Sequence, residues 1–470
     1  MRITVRAITT TAVLVVAMFI TVKFSNGQSP TTSSTSSNST PITPVGETAK
    51  NNAQDTASAA AAKPSPEPEP DFWHRETMTG DWGGTRSRWK EKGIELEFKQ
   101  TNFYQGVASG GINENSVYNG KFEMWWKFDL GKVAGWKWWS AEIKSEVRFG
   151  GPLLTGTGTI NPVNTAALTP AASGTVPTIS AFNFTRLIPR DLKKGELFAI
   201  SFGRYNFLDL VDEDFFAGSG TERFMNIAQI GPLTVLRQVP LITNAVTFAY
   251  IKGGEPRFTF ALMDPNDHSL DAGLDDFLAD GATFAPTVFF PVKYFGKSAK
   301  HSFGGAITTK AYTPFDAIRQ VIIPGPPVNP VQPKRGSWSI AYTFRQSIVE
   351  RGKKDGWGFF SQVSFADKAT SPITTFFDLG LGGNGLFKGR DADEFGIAYA
   401  YTDLSSVLKD NINLLTQGGR TPRVEHQFET FYNFHITPWR RVTGDLQIIR
   451  PTRAIAKTAI IPAGRLEVIF

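Results

Sequence analysis

Hydrophobic and polar side chains alternate with a period of two along most of this chain. From Val117 to Leu130, every even position except Gly120 carries a large hydrophobic residue, whereas four odd positions carry Lys, Glu or Asp. The same alternation continues from Trp138 to Phe149. Successive side chains of a β-strand point to opposite faces, so the pattern predicts strands with one hydrophobic and one polar face.

Sixteen such strands are predicted after Gly93. Intrinsic disorder is excluded for most of the chain, because its 38 Phe and 11 Trp residues provide ample apolar surface to bury. The predicted strands span residues 94–106, 117–130, 138–149, 179–189, 196–205, 245–251, 256–263, 283–294, 301–312, 337–349, 356–366, 373–381, 394–402, 423–435, 442–450 and 464–470.

The links between these strands alternate in length. Links after even-numbered strands are short, as at 131–137, whereas most links after odd-numbered strands are long, as at 150–178 and 206–244; the links 367–372 and 382–393 depart from the rule. Short turns on one side and long loops on the other are typical of an outer-membrane barrel. We therefore predict an all-β porin fold, a 16-stranded antiparallel transmembrane β-barrel with short periplasmic turns and long extracellular loops.

A soluble β-sandwich or propeller is the alternative fold. Two features weigh against it: the polar strand faces are densely charged with both signs, and the even strand count returns both ends to one side. A closed barrel also has no open edge, as lipid requires. The last strand alternates from Arg465 and ends in Phe470, which resembles the recognition signal of outer-membrane assembly machinery. That machinery and outer-membrane lipid are the expected macromolecular partners.

The first 93 residues predict three further segments. Residues 1–27 have the pattern of a signal peptide, because the uncharged stretch Ala7–Val22 is shorter than the ~17–25 residues of a membrane-spanning helix. An uncleaved anchor helix is the alternative. Residues 28–70 are rich in Ser, Thr, Ala and Pro and predict a disordered linker or tether. Residues 71–93 predict a periplasmic N-terminal segment with a short helix, and residues 94–470 the barrel.

The formal net charge of +6 does not indicate a nucleic-acid partner. Arg2, Arg6 and Lys23 contribute +3 within the signal peptide and residues 28–70 carry −2, so the remainder carries +5. Both signs are interleaved there without a basic block, which argues against nucleic-acid binding. The absence of cysteine excludes disulfides, thiolate metal sites and cysteine nucleophiles.

Catalytic and metal-binding motifs are missing from the sequence. It holds no G-x-S-x-G elbow, no H-E-x-x-H motif and no pair of histidines four residues apart, so no enzyme, cofactor or metal site is expected. The acidic run from Asp264 to Asp280 lacks EF-hand spacing. Leu270, Leu274 and Phe277 stand at helical spacing and predict a short surface helix there, with a loosely bound divalent cation as the alternative.

Several short motifs lie in a characteristic order between Asp71 and Phe470. They are Thr79–Gly84 with Arg86 and Lys92–Gly93, Gly203–Asn206, Phe216–Thr221, Phe224–Asn226, Asp264–Pro265, Gly389–Asp393, Glu429–Tyr432 and Gln447–Pro451. Their order and spacing resemble those of the carbohydrate-selective porins (OprB-like). The resemblance implies a 16-stranded outer-membrane pore that passes sugars by diffusion. The linker at 28–70 departs from the family pattern.

The polar strand faces predict the lining of the lumen. By strand parity, the substrate pathway is lined by Lys121, Glu123, Trp125, Lys127, Glu142, Lys144, Glu146, Arg148, Arg423, Glu425, Gln427, Glu429 and Phe431. Opposite charges side by side cancel at long range and still offer hydrogen bonds, which suits a neutral polyhydroxylated solute. The alternative is that each charge only solvates the channel wall.

Aromatic rings on the same strand faces are candidates for stacking against the C–H faces of a sugar. They belong to Trp125, Phe360, Phe376 and Phe431. A register slip of one residue would turn each ring outward to lipid instead.

One long link is predicted to fold inward and narrow the bore. The link after the fifth strand is the candidate, because its charged residues would stand at the constriction: Asp209, Asp212, Glu213, Asp214, Glu222 and Arg223. The alternative is a loop that stays on the outer surface.

The sequence therefore predicts passive, substrate-biased diffusion of carbohydrates through the outer membrane of a Gram-negative cell, with neutral sugars as the transported solutes. The alternatives are a general or differently selective porin, a plugged structural or adhesive barrel, and an outer-membrane enzyme. The preferred sugar, the role of the tether and the choice between a monomer and a homotrimer are left open.

Overall fold

The computed structural model describes residues 70–151, 153, 156–168, 177–210, 220–317, 332–352 and 355–470. Within these ranges, sixteen long antiparallel strands join into one closed sheet. The predicted signal peptide and nearly all of the predicted linker fall in residues 1–69, outside the described residues. The predicted fold class, a 16-stranded antiparallel β-barrel, is confirmed.

The strands follow one another around the barrel in chain order. They are β1 (Ile94–Gly106), the short β2 (Ser109–Gly111), β3 (Ser116–Asp129), β4 (Trp139–Phe149), β5 (Thr178–Asp191), β6 (Glu196–Asn206), β7 (Ile242–Lys252), β8 (Glu255–Met263), β9 (Thr283–Tyr294), β10 (Lys297–Tyr312), β11 (Lys334–Gly352), β12 (Asp355–Ala366), β13 (Ile373–Asn384), β14 (Glu394–Leu404), β15 (Glu425–Thr437), β16 (Arg440–Arg450) and β17 (Lys457–Ile469). The α-helices are α1 (Thr85–Glu91), α2 (Leu130–Val133) and α3 (Ser406–Leu415). None of the helices in the described ranges is long and apolar enough to cross a membrane.

The first and last long strands close the barrel. β1 pairs with β3 on one side and with β17 on the other, where Lys99 stands opposite Ile469. The short β2 continues the line of β1 and pairs with β17 at Ser109, opposite Ile460. Closure of this kind leaves no unpaired strand edge, which is the condition for a β-structure within lipid.

Alternating burial identifies the inward face of each strand. In β3, Asn119, Lys121 and Glu123 are buried, whereas Tyr118 on the opposite face is 58% exposed. Directly opposed residues of neighbouring strands share a face, so Lys144 of β4, which pairs with Trp125, also points inward. The hydrophobic face is thus the outer wall, and the polar face lines the interior.

The strand boundaries follow the prediction closely, and β1 and β9 begin and end at the predicted residues. The largest difference is at β17, which begins at Lys457 instead of residue 464. Its first half holds adjacent isoleucines, Pro462 and small residues, so the alternation there is blurred. Pairing with β16, as at Ile461 opposite Gln447, extends this strand beyond its own local pattern.

The surface helix predicted within residues 264–280 is wrong, because this link forms turns. Gly273 has a φ of 59°, which a right-handed helix excludes. The backbone N–H of Asn266 donates to Asp264 Oδ1 at 2.8 Å, and that of Ser269 donates to Asp267 Oδ1 at 3.0 Å. These carboxylates offer the backbone an alternative to helical hydrogen bonds, and hydrophobic spacing does not reveal them.

The segment before β1 lies against the end of the last strand. Arg86, within α1, donates from Nη2 to the main-chain oxygen of Phe470 at 2.6 Å. The indole Nε1 of Trp439 donates to Phe72 O at 2.9 Å. The segment therefore holds the seam at which β1 and β17 meet.

Candidate functional site: the barrel interior

Two links between strands fold into the barrel and occupy much of its interior. Residues 156–168 of the β4–β5 link and residues 220–241 of the β6–β7 link are almost entirely buried, and we call them the first and second inner loops. They contact each other, because the backbone N–H of Thr165 donates to Met225 O at 2.8 Å. The barrel is therefore narrowed by loop residues instead of being open across its full width.

The second inner loop belongs to the link named from the sequence, whereas the first inner loop was missed. Buried hydrophobic residues of the missed link, such as Leu153 and Val163, are 1% exposed. Hydrophobic residues in a long extracellular link are the signal that could have found it, because a loop surrounded by water gains nothing from them. The predicted Asp212, Glu213 and Asp214 lie outside the described residues.

Charged side chains of β1, β3 and β4 form a continuous ion-pair lattice on the inner wall. This Lys–Glu lattice consists of Lys99, Lys121, Glu123, Lys144 and Glu146, each at most 2% exposed. Lys121 Nζ lies 2.6 Å from Glu146 Oε1, and Lys144 Nζ lies 2.9 Å from Glu123 Oε1. Glu123 stands directly opposite Glu146 in the β3–β4 register, and the lysines around the two carboxylates give each buried charge an opposite charge within 4 Å, as burial requires.

The β6–β7 link contributes two predicted acids to this lattice. Asp209 Oδ1 lies 2.6 Å from Lys144 Nζ, and Glu222 Oε1 lies 3.1 Å from Lys99 Nζ. Burial raises the pKa of the Asp209 carboxyl to about 6, with the cation of Lys144 opposing this shift and the carboxylate of Glu146 adding to it. The link is thus tied electrostatically to the wall that it covers.

Trp125 lies within the lattice and is 8% exposed. Lys144 Nζ is 4.2 Å from the ring centroid and Lys127 Nζ is 5.3 Å from it. Cations near an aromatic face are attracted by the negative face of the ring. These contacts fix the position of the indole, and its stacking against a sugar stays a prediction.

A second group of paired charges lies where β14, β16 and β17 meet the second inner loop. This arginine cluster consists of Arg223, Glu394, Arg441, Arg465 and Glu467. Arg223 Nη2 is 3.0 Å from Glu394 Oε1, and Arg441 pairs with Glu467 through Nη2. Arg465 donates from Nη1 to Arg223 O at 2.8 Å.

Of the arginine cluster, only Arg223 was named from the sequence. Arg465 and Glu467 stand two residues apart in a predicted strand, so their shared face was available as a signal. Arg441 was missed because β16 begins at Arg440, two residues before the predicted start at 442.

Carboxylates of β15 hold the backbones of both inner loops. Glu425 Oε2 accepts from the backbone N–H of Ile160 at 3.0 Å. Glu429 Oε2 accepts from the backbone N–H of Asn226 at 3.1 Å, and its Oε1 from that of Met225 at 2.5 Å. The two side chains thereby satisfy buried backbone N–H groups of the loops, which would otherwise lack acceptors.

The remaining predicted pathway residues occupy varied positions. Lys127 Nζ lies 3.3 Å from Glu97 Oε2, and Glu142 is half-buried. Arg148 Nη1 donates to the carbonyl of Ala167 in the first inner loop. Arg423 precedes β15 and donates from Nη2 to Ala456 O at 2.7 Å. Gln427 is 1% exposed and donates from Nε2 to the neighbouring Glu425.

Inward-facing aromatic rings pack over glycines of neighbouring strands. Phe431 is 4% exposed, and its ring centroid lies 4.8 Å from that of Phe224 in the second inner loop. A Cβ atom added to Gly396 would stand 2.4 Å from the Phe431 ring, so glycine makes room for it. Phe360 and Phe376 are also buried, at 2% and 0% exposure. The inner loops therefore cover these rings.

The described residues bring no three His, Asp or Glu side chains into a group able to hold a metal ion. In the acidic link, His268 Nδ1 lies 2.7 Å from Asp271 Oδ1. The chemistry that the interior does offer is therefore ion pairing and hydrogen bonding along a narrowed passage.

Comparison with known proteins places this barrel among characterised relatives. Residues 113–470 match the model of a family described as carbohydrate-selective porin, OprB family. Porin B of Pseudomonas aeruginosa is 21% identical over 431 residues, covering 84% of this chain and 91% of that protein. A putative porin, QuiX, of Acinetobacter baylyi is 33% identical over 100 residues, 20% of this chain and 23% of that protein. The high-pH structure of Pseudomonas putida OprB superposes with a TM-score of 0.72 at 19% identity, covering 85% of this chain and all of that one.

Proposed function

The chain belongs to the carbohydrate-selective porin, OprB family, and we propose from this premise that it lets sugars diffuse passively through a bore narrowed by its two inner loops. The family and the closed barrel make it a protein of the Gram-negative outer membrane. Porins are transport channels rather than enzymes. The proposal concerns the solute bias and the residues that produce it.

The observation that carries the proposal is that many of the charges on the inner wall occur as opposite pairs. Two pairs that keep some exposure are Lys127 with Glu97, at 26% and 36%, and Arg223 with Glu394, at 13% and 12%. Paired opposite charges cancel at a distance, so neither cations nor anions gain strongly from entering. Their N–H groups and oxygens still bind hydroxyl groups at short range, which favours a neutral polyol.

Transport in this account is a sequence of weak exchanges. A sugar loses part of its hydration at the constriction, gains hydrogen bonds from the wall and leaves before any one contact holds it. Affinity has to stay low at every step, because conduction requires release as well as entry. The buried lattice around Lys144 and the carboxylates of Glu425 and Glu429 act by keeping the inner loops in place.

Current block by sugars in planar bilayers tests this function. The purified full chain is expected to form channels whose ion current falls as glucose or maltodextrins are added in graded amounts, because a bound sugar obstructs the bore. Channels that conduct steadily and are never blocked by either solute would favour a general diffusion porin. Absence of conductance would favour a plugged barrel.

We also propose the division of the chain and the partners inferred from its sequence. Residues 1–27 direct export, residues 28–70 tether the barrel, residues 71–93 form the periplasmic segment and residues 94–470 the pore. Phe470 is the proposed signal for the assembly machinery. Support for this role is its position at the end of the closing strand, where its backbone N–H donates to Phe98 O at 2.9 Å.

A further inference from the structure

A small polar cleft lies between the second inner loop and the inner wall formed by β11 and β12. It is lined by Gln229 and Ile230 from the loop and by Thr343, Phe344, Arg345, Phe360, Ser361 and Gln362 from the strands. Its free volume is about 10 Å³. That space accommodates one water molecule or one hydroxyl group, and nothing larger.

The side chain of Gln229 is the unusual feature of this cleft. It is 1% exposed, yet neither its amide nitrogen nor its amide oxygen has a hydrogen-bond partner among the residues that the structure describes. Leaving a buried polar group unpaired costs roughly 1–3 kcal/mol. An amide kept in such a place is therefore available for a partner that enters the cleft.

The neighbouring wall holds two more buried polar atoms without a hydrogen-bond partner among the described residues. Gln362 donates from Nε2 to Asp378 Oδ2 at 2.7 Å. Gln362 Oε1 and Asp378 Oδ1 are buried and lack hydrogen-bond partners within the described part of the chain. Arg345, which is 9% exposed, lines the same cleft and acts electrostatically on Asp378.

Hydrogen bonds fix the backbone around Gln229, and they therefore define the position of its side chain. Gln229 ends a 3-10 turn, Ile227–Gln229, whose first residue follows Asn226. Asn226 Oδ1 accepts from the backbone N–H of Ala228 at 3.0 Å, and Asn226 Nδ2 donates to Gln447 Oε1 of β16 at 3.1 Å. The turn that carries the amide is thus fixed to β16 through Asn226.

An aromatic ring completes the cleft. Phe360 packs over Gly380 of β13, where an added Cβ would stand 2.4 Å from the ring. The ring forms a hydrophobic wall of the cleft beside the groups that donate and accept hydrogen bonds. The feature that selects a hydroxyl over a simple ion is the Gln229 amide, which both donates and accepts.

We propose that Gln229 and Gln362 form a subsite that binds one hydroxyl group of a sugar as it passes this cleft. This inference rests on the proposed function, since it names where that function recognises its solute. The entering hydroxyl donates to Gln362 Oε1 and accepts from the Gln229 amide, while Asp378 holds the Gln362 side chain through its Nε2. Because only one hydroxyl fits, one position of the sugar ring is recognised and the others are not.

Glucose block of the single-channel current in planar bilayers tests the subsite, with Gln229→Met as the variant. Methionine has a similar length and cannot form the proposed hydrogen bonds. The glucose concentration for half block is expected to rise about three- to tenfold, as the loss of one hydrogen bond implies. Gln346→Met is the matched control, because Gln346 lies on the outward face of the same wall.

Monodeoxyglucoses provide a second readout, and its first part needs only the wild-type channel. In the wild-type channel, removal of one particular hydroxyl should weaken the block by a similar factor, whereas removal of the others should not. In Gln229→Met that difference should disappear. If glucose blocks the wild type while every monodeoxyglucose blocks equally and Gln229→Met behaves like wild type, the subsite is wrong and the proposed function stands. If glucose does not block the wild type at all, both are overturned.

Discussion

Lys144 illustrates how single residues hold this interior together. Its Nζ lies within 2.9 Å of carboxylate oxygens of Glu123, Glu146 and Asp209, and the lysine is fully buried. Glu123 belongs to β3 and Glu146 to β4, whereas Asp209 belongs to the β6–β7 link, which enters the barrel. The residue therefore joins the wall to the loop that narrows it.

Replacing Lys144 with methionine is expected to destabilise the barrel. The change leaves buried carboxylates without their cation, and breaking a buried ion pair costs about 3–5 kcal/mol. We expect the temperature at which the folded form disappears on SDS gels to fall. Lys132→Met, on the exposed helix α2, is the control and should leave this temperature unchanged. Equal temperatures for both variants would show that the lattice is not needed for stability.

Protonation of Asp209 should change the ion preference of the channel. Its pKa is raised to about 6 by burial, so it gains a proton as the pH falls from 7.5 to 5. A proton at this site removes one negative charge beside Lys144. The reversal potential in a salt gradient should therefore shift in the direction that indicates a higher anion-to-cation permeability ratio. Asp209→Asn should abolish the part of the shift centred near pH 6. An identical titration in that variant would exclude Asp209 as its source.

Strand parity in the sequence was sufficient to identify which residues face inward, but not what they contact. Trp125 and Phe376 point inward as their parity predicts, since alternation is a local property. The partners of Lys99 and Glu429 come from the second inner loop, more than a hundred residues away in the chain. No local pattern records such contacts, so the packed interior could not be derived from the sequence.

At the level of elements, strands and loops differ in how much of their structure is local. The sixteen strands follow from two-residue alternation, and errors occur where Pro462 and small residues interrupt it. The path of a long link depends on acceptors presented by distant strands. Glu425 and Glu429 of β15 provide these acceptors, and they explain why both inner loops lie inside the barrel.

Glu429→Ala should release the second inner loop from β15. The backbone N–H groups of Met225 and Asn226 would lose their acceptor, and each buried donor left unpaired costs roughly 1–3 kcal/mol. We expect a larger and noisier single-channel conductance, because the loop no longer narrows the bore steadily. Glu91→Ala, at an exposed position of α1, is the control. A conductance equal to wild type would mean that this loop does not limit the passage.

The whole molecule is a barrel whose outer wall is hydrophobic and whose inner wall carries many of its charges in opposite pairs. Lysines of the lattice face glutamates, and arginines of the cluster at β14, β16 and β17 do the same. The formal net charge of +6 is therefore a poor guide to the passage, because much of it lies in residues 1–27 and in turns. The selectivity of the channel should depend on this local balance and on hydrogen bonding.

Solute-specific swelling of proteoliposomes tests the central claim most directly. Liposomes containing the full chain are placed in solutions of glucose or of gluconate, an anion of similar size, and the swelling rates are compared. The account predicts rapid swelling in glucose and much slower swelling in gluconate, because paired charges give the anion no advantage and the narrowed bore favours the neutral polyol. Equal rates in both solutes, or no swelling beyond that of protein-free liposomes in glucose, would contradict it.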